Sequence, residues 1–352
     1  MKEQFQIISK PRELYDEMIK DILNAKKQIF LETYIYEDDQ VGVRFREALL
    51  KKAKQGVKIK LLLDAWGSSV KKHYFEELIA NGAEVKLFRE IKYLIRIFSK
   101  NHERSHRKLL IIDNNIVYVG SANITYRYID SRELVIRLIG DITNSFIKSF
   151  QRVWNNHSDH ITHKKLKSIF HEEFEIINDI PSYYWRITES KYVKLIKNAK
   201  KSILIETPYF IPSTRIRKVL GKAVKRGVKV NIIIPYNSNV AVVDTLRNRY
   251  LGNLYKNGIK LFYYKPTLLH SKLMIVDDDF FLLGSSNLDY RSLLYLYEIN
   301  FLGKDKRIIK SLKEYFNETI KGTIPFDYGE WRKRSSFKRI LEMILYRVRH
   351  YL

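Results

Sequence analysis

Short apolar runs alternate with amphipathic stretches along most of the chain, and the whole alternation occurs twice. QIFLETYI and ILIETPYF are brief runs rich in β-branched and aromatic residues, and they predict strands. VRFREALLKKAKQG and TRIRKVLGKAVKRG place apolar residues three and four apart and close on glycine, the pattern of an amphipathic helix with a C-terminal cap. VKIKLLLD and VKVNIIIP are strands again. DITNSFIKSFQRVWNN predicts a further helix, followed by a polar connector. Strand–helix–strand alternation predicts an α/β layer architecture with mixed, largely parallel sheets.

The second half repeats the first in detail. AKKQIFLETYIY (25–36) matches AKKSILIETPYF (199–210), and KKAKQGVKIKLLLD matches GKAVKRGVKVNIIIP. NGAEVKLF matches KNGIKLFYY, and HRKLLIIDNNIVYVGSANI matches HSKLMIVDDDFFLLGSSNL. The copies lie 174 residues apart at Ala25 and Ala199 but 164 apart at His106 and His270, so the first half carries extra residues just before His106. The expected division is one half over 1–160, a connector over 161–185, a second half over 186–325 and a tail over 326–352.

Each half holds His-x-Lys-x4-Asp followed by Gly-Ser-x-Asn. The members are His106, Lys108, Asp113, Gly120, Ser121 and Asn123, then His270, Lys272, Asp277, Gly284, Ser285 and Asn287. With nine histidines in the chain, about 0.18 chance occurrences of the loosened His-Lys-Asp pattern are expected, so two matched copies carry information. Residues two apart on a strand share a face, which puts each histidine beside its lysine. Asp113 and Asp277 lie at odd spacing and head DNN and DDD turns, so within the motif their part reads as structural. The hairpin returns Asn123 and Asn287 towards the histidines. Glu133 and Glu298 follow as candidate acceptors for the second ring nitrogen of each histidine.

Composition narrows the chemistry. There is no cysteine, which excludes disulfides, thiolate metal sites and a thiol nucleophile. HSDHITH (His157, His160, His163) reads as a polar linker rather than a metal site, and His102 as a surface residue. Two histidines, two lysines and two asparagines suit phosphodiester transfer. A neutral imidazole attacks phosphorus, and a protonated one supplies the leaving alkoxide with its proton. Lysines and amides steady the non-bridging oxygens, so neither a cofactor nor a metal is expected.

These motifs resemble the phospholipase D superfamily, marked by a duplicated HxKxxxxD with GSxN, and more narrowly the bacterial cardiolipin synthases of the type lacking N-terminal transmembrane helices. The likeness is densest in ETPYFIP, RGVKVNIIIP and LLHSKLMIVDDDFFLLGSSNLDYRS. It implies two α/β/α halves related by a pseudo-twofold axis around one site. It implies His106 as nucleophile, being in the N-terminal motif, and His270 as general acid/base; the residues themselves are symmetric between the two. The reaction implied is transfer of a phosphatidyl group from phosphatidylglycerol to a second phospholipid alcohol through a phosphohistidine, with release of glycerol. Asn114 and Asp278 stand where glycine is frequent, and Leu296 stands where asparagine is frequent, which bears on the acceptor.

Lysine and arginine outnumber acids 64 to 39, a formal charge of +25, which favours a polyanionic partner. The tail WRKRSSFKRILEMILYRVRHYL supplies seven bases against one acid and an apolar stripe at helical spacing. Trp331, Phe337, Lys338, Arg339, Leu341, Leu345, Arg347 and Arg349 are the expected contacts to an anionic phospholipid surface. EIKYLIRIFSKNHER, the extra stretch before His106, is a second candidate lip. No signal-like or membrane-spanning run is present, so the expected place is the cytoplasm, peripheral on the inner face of the cell membrane. The rival readings are a phospholipase D-type phosphodiesterase or nuclease using water, and an inactive binding module. Nucleic acid is the less favoured partner, because the amphipathic tail suits lipid.

Overall fold

The computed structural model describes residues 3–90, 103–158, 168–182 and 184–347. The first half runs β1 (Gln4–Ile8), α1 (Pro11–Asn24), β2 (Gln28–Thr33), α2 (Gln40–Ala53), β3 (Lys58–Asp64), α3 (Glu76–Ala80), β4 (Glu84–Phe88), β5 (Arg104–Ser105), β6 (Leu109–Ile112), β7 (Ile116–Gly120), β8 (Val135–Ile139) and α4 (Thr143–Trp154). The second runs β9 (Ile169–His171), β10 (Phe174–Asp179), α5 (Ile187–Asn198), β11 (Ser202–Glu206), α6 (Thr214–Lys225), β12 (Lys229–Pro235), α7 (Ala241–Lys256), β13 (Lys260–Tyr264), β14 (Leu273–Val276), β15 (Phe280–Gly284), α8 (Tyr290–Leu294), β16 (Leu296–Gly303) and α9 (Lys306–Lys321). β17 (Thr323–Pro325), α10 (Tyr328–Arg332) and α11 (Ser336–Arg347) close the described chain.

The duplication is preserved strand for strand. The first sheet has the order β1-β8-β7-β6-β2-β3-β4, and the second contains β10-β16-β15-β14-β11-β12-β13, with β9 and β17 added at its edges. Both sheets are mixed, but apart from the short β5–β16 pair parallel pairing is confined to β2-β3-β4 and β11-β12-β13. The expected parallel majority is therefore corrected. α2 and α6 are crossovers that return the chain parallel, whereas the Asp-headed turns make antiparallel hairpins of β6-β7 and β14-β15. α2 and α6 end as their sequences predict, with Gly56 and Gly227 in the left-handed region (φ 79° and 88°).

Each sheet is buried on both faces, which is why LLL and III runs replace a clean alternation. On β3, Leu61 and Leu63 face helices α1 and α2, while Leu62 joins a central core shared by the two halves. That shared core includes Phe30, Phe88 and Phe146 of the first half and Phe281, Tyr297 and Phe301 of the second, with α4 and α9 packed into it. At about 1.5–3 kcal/mol per fully buried large apolar side chain, this layer is a main source of adhesion between the halves.

The stretch expected as a polar connector carries structure. β10, with sequence FEIIND, is buried along its length and pairs with β16 from Phe174↔Gly303 to Asp179↔Glu298. It is the counterpart of β1, so the second half begins near residue 169 rather than 186. The charged turn between β9 and β10 masks the strand in the sequence. Among the described residues no helix is long and apolar enough to cross a membrane.

Candidate active site

The halves meet through backbone as well as core. β5 pairs in parallel with β16 (Arg104↔Leu296, Ser105↔Tyr297), and Arg132 bridges to Leu269. The exchange is reciprocal: His106 N donates to Tyr297 O at 2.9 Å, and His270 N donates to Arg132 O at 2.9 Å. Each motif histidine is thus pinned at its backbone by the opposite half.

The side chains cross over in the same way. His106 Nδ1 lies 3.1 Å from the Glu298 carboxylate, and His270 Nδ1 lies 2.8 Å from that of Glu133. Both glutamates are fully buried, and each accepts a hydrogen bond from the serine of its own GSxN motif, Ser121 for Glu133 and Ser285 for Glu298. Ser121 Oγ and Ser285 Oγ in turn accept from Leu134 N and Ile299 N at 2.8 and 2.9 Å. The preceding glycines have no room for a side chain: a Cβ on Gly120 would lie 2.2 Å from Leu134 O, and one on Gly284 2.4 Å from Ile299 O. Glycine therefore sets the close approach that the serine–glutamate contact needs.

His106 and His270 are 8% and 5% exposed and border one cavity of about 270 Å³. Asn123, Asn287, Tyr34, Tyr128, Asp289, Arg291 and Leu296 line the same cavity. Tyr128 stacks on the His270 ring, with centroids 5.3 Å apart, and Tyr34 meets His106 edge-on at 5.1 Å. Lys108 Nζ donates to His106 O at 2.7 Å and Lys272 Nζ to His270 O at 2.5 Å. Asn123 Oδ1 accepts from Ile35 N at 3.2 Å, which fixes its amide at the cavity wall.

Asp113 and Asp277 stand apart from this group. Each adopts φ near +50° (52° and 55°) at the far end of its strand. Asp113 accepts from the backbone N–H groups of Lys26, Lys27 and Gln28, and Asp277 from those of Lys200, Lys201 and Ser202. The motif aspartates bind the start of β2 and of β11 to the hairpin turn. The odd spacing of each aspartate from its histidine points to the same structural part.

Two further acids escape the sequence reading. Arg107, the residue between His106 and Lys108, is fully buried and donates through Nε to Glu32 at 2.9 Å. Ser271 donates to Glu206, which also accepts from Tyr315 OH at 2.8 Å. Glu32 and Glu206 are the glutamates of the repeated ET pair, so the duplication itself is the available signal. They hold the middle residue of each HxK on the face opposite the histidine.

Electrostatics separates the two histidines. Burial, with Lys108 and Lys272 nearby, pushes His106 well below the usual imidazole range, and burial pushes its partner Glu298 up to about 7. Burial also lowers His270, but there Glu133 opposes the shift. Burial pushes Glu133 upward too, yet His270, Lys272 and Ser121 outweigh it and hold this carboxyl below its ordinary value. Burial lowers Lys108 to about 7 and Lys272 to about 8.

The tail forms α10 and α11, packed on α7. Trp331 and Leu345, expected at a lipid surface, turn inward: the Trp331 indole N–H donates to Asn248 O at 2.8 Å, and Leu345 packs against the second-half core. Glu342 is buried and accepts from Arg334 at 2.7 Å. Phe337, Ile340 and Ile344 are 74%, 51% and 55% exposed, and Lys338, Arg339, Leu341 and Arg347 are exposed beside them. His157 Nδ1 lies 3.2 Å from Trp154 O, within the α4 end. Residues 91–102, His160, His163 and Arg349 lie outside the described residues, and among those described no cluster of three metal-ligating side chains is found.

Two mixed sheets of matching order thus place crossed histidine–glutamate pairs at one cavity. The fold alone is also that of phosphatidylserine synthase from Haemophilus influenzae, which superposes with a TM-score of 0.79 at 13% identity over 99% of this chain and 95% of that one. A polyphosphate kinase from Porphyromonas gingivalis gives a TM-score of 0.67 at 12% identity, over 99% of this chain and 54% of the kinase. The family model described as "Cardiolipin synthase, PLD-like domain" matches residues 18–154 and 192–320. The major cardiolipin synthase ClsA of Bacillus subtilis is 34% identical over 96% of this chain and 73% of its own length. Cardiolipin synthases of Listeria monocytogenes and Clostridium perfringens are each 31% identical over 94% of this chain, and over 72% and 73% of their own lengths. The chain belongs to the cardiolipin synthase family of PLD-like proteins.

Proposed function

We propose that the protein is a cardiolipin synthase-type phosphatidyltransferase acting by double displacement at phosphorus. The crossed His106–Glu298 and His270–Glu133 pairs around a single cavity carry the reading. Glu298 accepts a hydrogen bond from Nδ1–H of His106, which leaves the Nε2 lone pair free to attack. A P–N bond forms as the P–O bond to glycerol breaks, and His270 gives its proton to the departing glycerol oxygen. The second lipid hydroxyl then passes its proton to His270 and attacks phosphorus, and the P–N bond to His106 breaks. Glu133, held ionised, stabilises the imidazolium form of His270 during these transfers. Lys108, Lys272, Asn123 and Asn287 steady the non-bridging oxygens. The depressed basicity of His106 and the ionised partner of His270 support the assignment of nucleophile and acid/base in that order.

The membrane reading draws on α11. Its docked side is Glu342, Leu345 and Tyr346, and its outward side is Phe337, Ile340, Leu341 and Ile344, so the helix turns apolar surface away from the domain. A basic groove of about 880 Å³ lies between α6, α7 and α11, lined by Arg217, Lys222, Lys225, Arg249, Arg334 and Arg339 among others. Three of these arginines stack on rings: Arg217 on Tyr250, Arg249 on Tyr346 and Arg334 on Trp331. Anionic headgroups suit the groove, at about 1 kcal/mol per base near a charged surface. The protein works as a peripheral enzyme on phosphatidylglycerol-containing membrane at the inner face of the cell membrane.

The test is incubation with labelled phosphatidylglycerol in the presence of EDTA. Cardiolipin with an equivalent of glycerol is the expected product. Phosphatidic acid alone would replace this reading with the hydrolytic one, and EDTA-sensitive turnover would overturn the metal-free mechanism.

A further inference from the structure

The two halves differ at one charged position where their backbones agree. Arg127 and Arg291 each follow the GSxN asparagine by four residues. Glu37 and Ile211 also occupy equivalent places: Glu37 N donates to Ile124 O at 3.2 Å, and Ile211 N donates to Leu288 O at 2.9 Å. In the first half the Glu37 carboxylate accepts from Arg127 and from Thr125, so that arginine is neutralised at the surface. In the second half the carboxylate is replaced by the buried side chain of Ile211. Arg291 lines the catalytic cavity instead, and among the described residues its guanidinium makes no hydrogen bond and no ion pair. The Asp289 carboxylate accepts from Ser292 N at 2.7 Å and lies near enough for the Arg291 charge to favour its ionised form.

Charge balance gives this arginine a task. Transfer between two phospholipids brings two phosphodiester anions to one small cavity. Lys108, Lys272 and the two asparagines are grouped with the histidines, where the phosphorus under attack must sit. The second anion needs a cation of its own to enter a site this enclosed. A guanidinium fork suits a phosphodiester, which it meets through two parallel hydrogen bonds. We propose that Arg291 forms a second anion subsite, holding the phosphodiester of the acceptor lipid while its free hydroxyl faces His270. The inference rests on the phosphatidyl-transfer reading and adds the means by which a phosphate-bearing alcohol is preferred over a neutral one.

The experiment uses one donor and two acceptors. Phosphatidylglycerol vesicles are incubated with labelled glycerol, and two products are followed: label exchanged into phosphatidylglycerol, and cardiolipin. Exchange needs only a neutral acceptor; cardiolipin needs an acceptor with its own phosphate. In Arg291→Ala, cardiolipin formation is expected to fall about 10- to 100-fold, the loss of a charge-assisted pair, with exchange held within about threefold. Arg291→Gln serves as the second variant should alanine lower the melting temperature. Equal loss of both products, or loss of neither, would overturn the subsite. Wild-type protein that makes neither product would instead overturn the transferase reading itself.

Discussion

Glu298 lies 3.1 Å from Nδ1 of His106, although 192 residues and the boundary between two homologous halves separate them. The mirror contact joins Glu133 to His270 at 2.8 Å. Neither half holds a complete histidine–carboxylate pair, so both pairs exist only when the two copies dock. Glu133→Gln and Glu298→Gln are expected to lower kcat by about 10²- to 10⁴-fold, the range of a lost general acid–base function, with the fold retained. Steady-state kinetics beside circular dichroism checks this; activity within threefold of wild type in either variant would count against the crossed pairs.

The pH dependence of kcat/KM follows from the same group. Glu298, raised to about 7 by burial, must be ionised to orient His106, so activity falls as pH drops below that value. Lys108 and Lys272, lowered to about 7 and 8 by burial, must be protonated to hold the phosphoryl oxygens, so activity falls as pH rises through this range. A low, narrow maximum near 7 is expected in the free-enzyme profile, because Glu298 must be ionised and Lys108 protonated at about the same pH. Glu298→Gln should flatten the acid flank. A profile that rises steadily into the strongly alkaline range would contradict the role of the lysines.

The motif aspartates should behave as structural residues. Asp113→Asn weakens a carboxylate that accepts from three consecutive backbone N–H groups, which is expected to cost about 1–3 kcal/mol of stability. Denaturant unfolding reads the loss. Specific activity of the folded fraction should stay near wild type, and a collapse of kcat without loss of stability would assign Asp113 to the chemistry instead.

The outward face of α11 predicts a membrane phenotype separable from catalysis. Replacing Ile340 and Ile344 together by serine removes apolar area worth about 1.5–3 kcal/mol per side chain if fully buried in lipid. Sedimentation with phosphatidylglycerol vesicles should show at least a tenfold weaker association, with turnover of a dispersed short-chain substrate unchanged. Unaltered sedimentation would point to another use of this face.

Much of the site is legible in the amino-acid sequence alone. Histidine, lysine and asparagine recur at fixed spacing because one hairpin presents all three, and the odd offset of Asp113 from His106 matches its place on the backbone at the start of β2. Which half supplies the carboxylate for each histidine is not legible, because spacing within a half cannot reveal contacts made between halves. β10 is hidden by the charged turn before it, although FEIIND is a typical doubly buried strand. Trp331 and Leu345 read as lipid contacts because a helical stripe does not say which of its flanks docks on α7. The different fates of Arg127 and Arg291 rest on Glu37 against Ile211, a contrast visible only once the repeats are superposed in space.

The covalent step is the centre of the mechanism, and it is directly observable. Wild-type protein mixed rapidly with phosphatidylglycerol, quenched in alkali to preserve phosphoramidate, digested and read by mass spectrometry should carry a phosphatidyl adduct on the peptide containing His106. The adduct should be absent in His106→Ala. An adduct on His270, or turnover with no adduct on either histidine, would contradict the account.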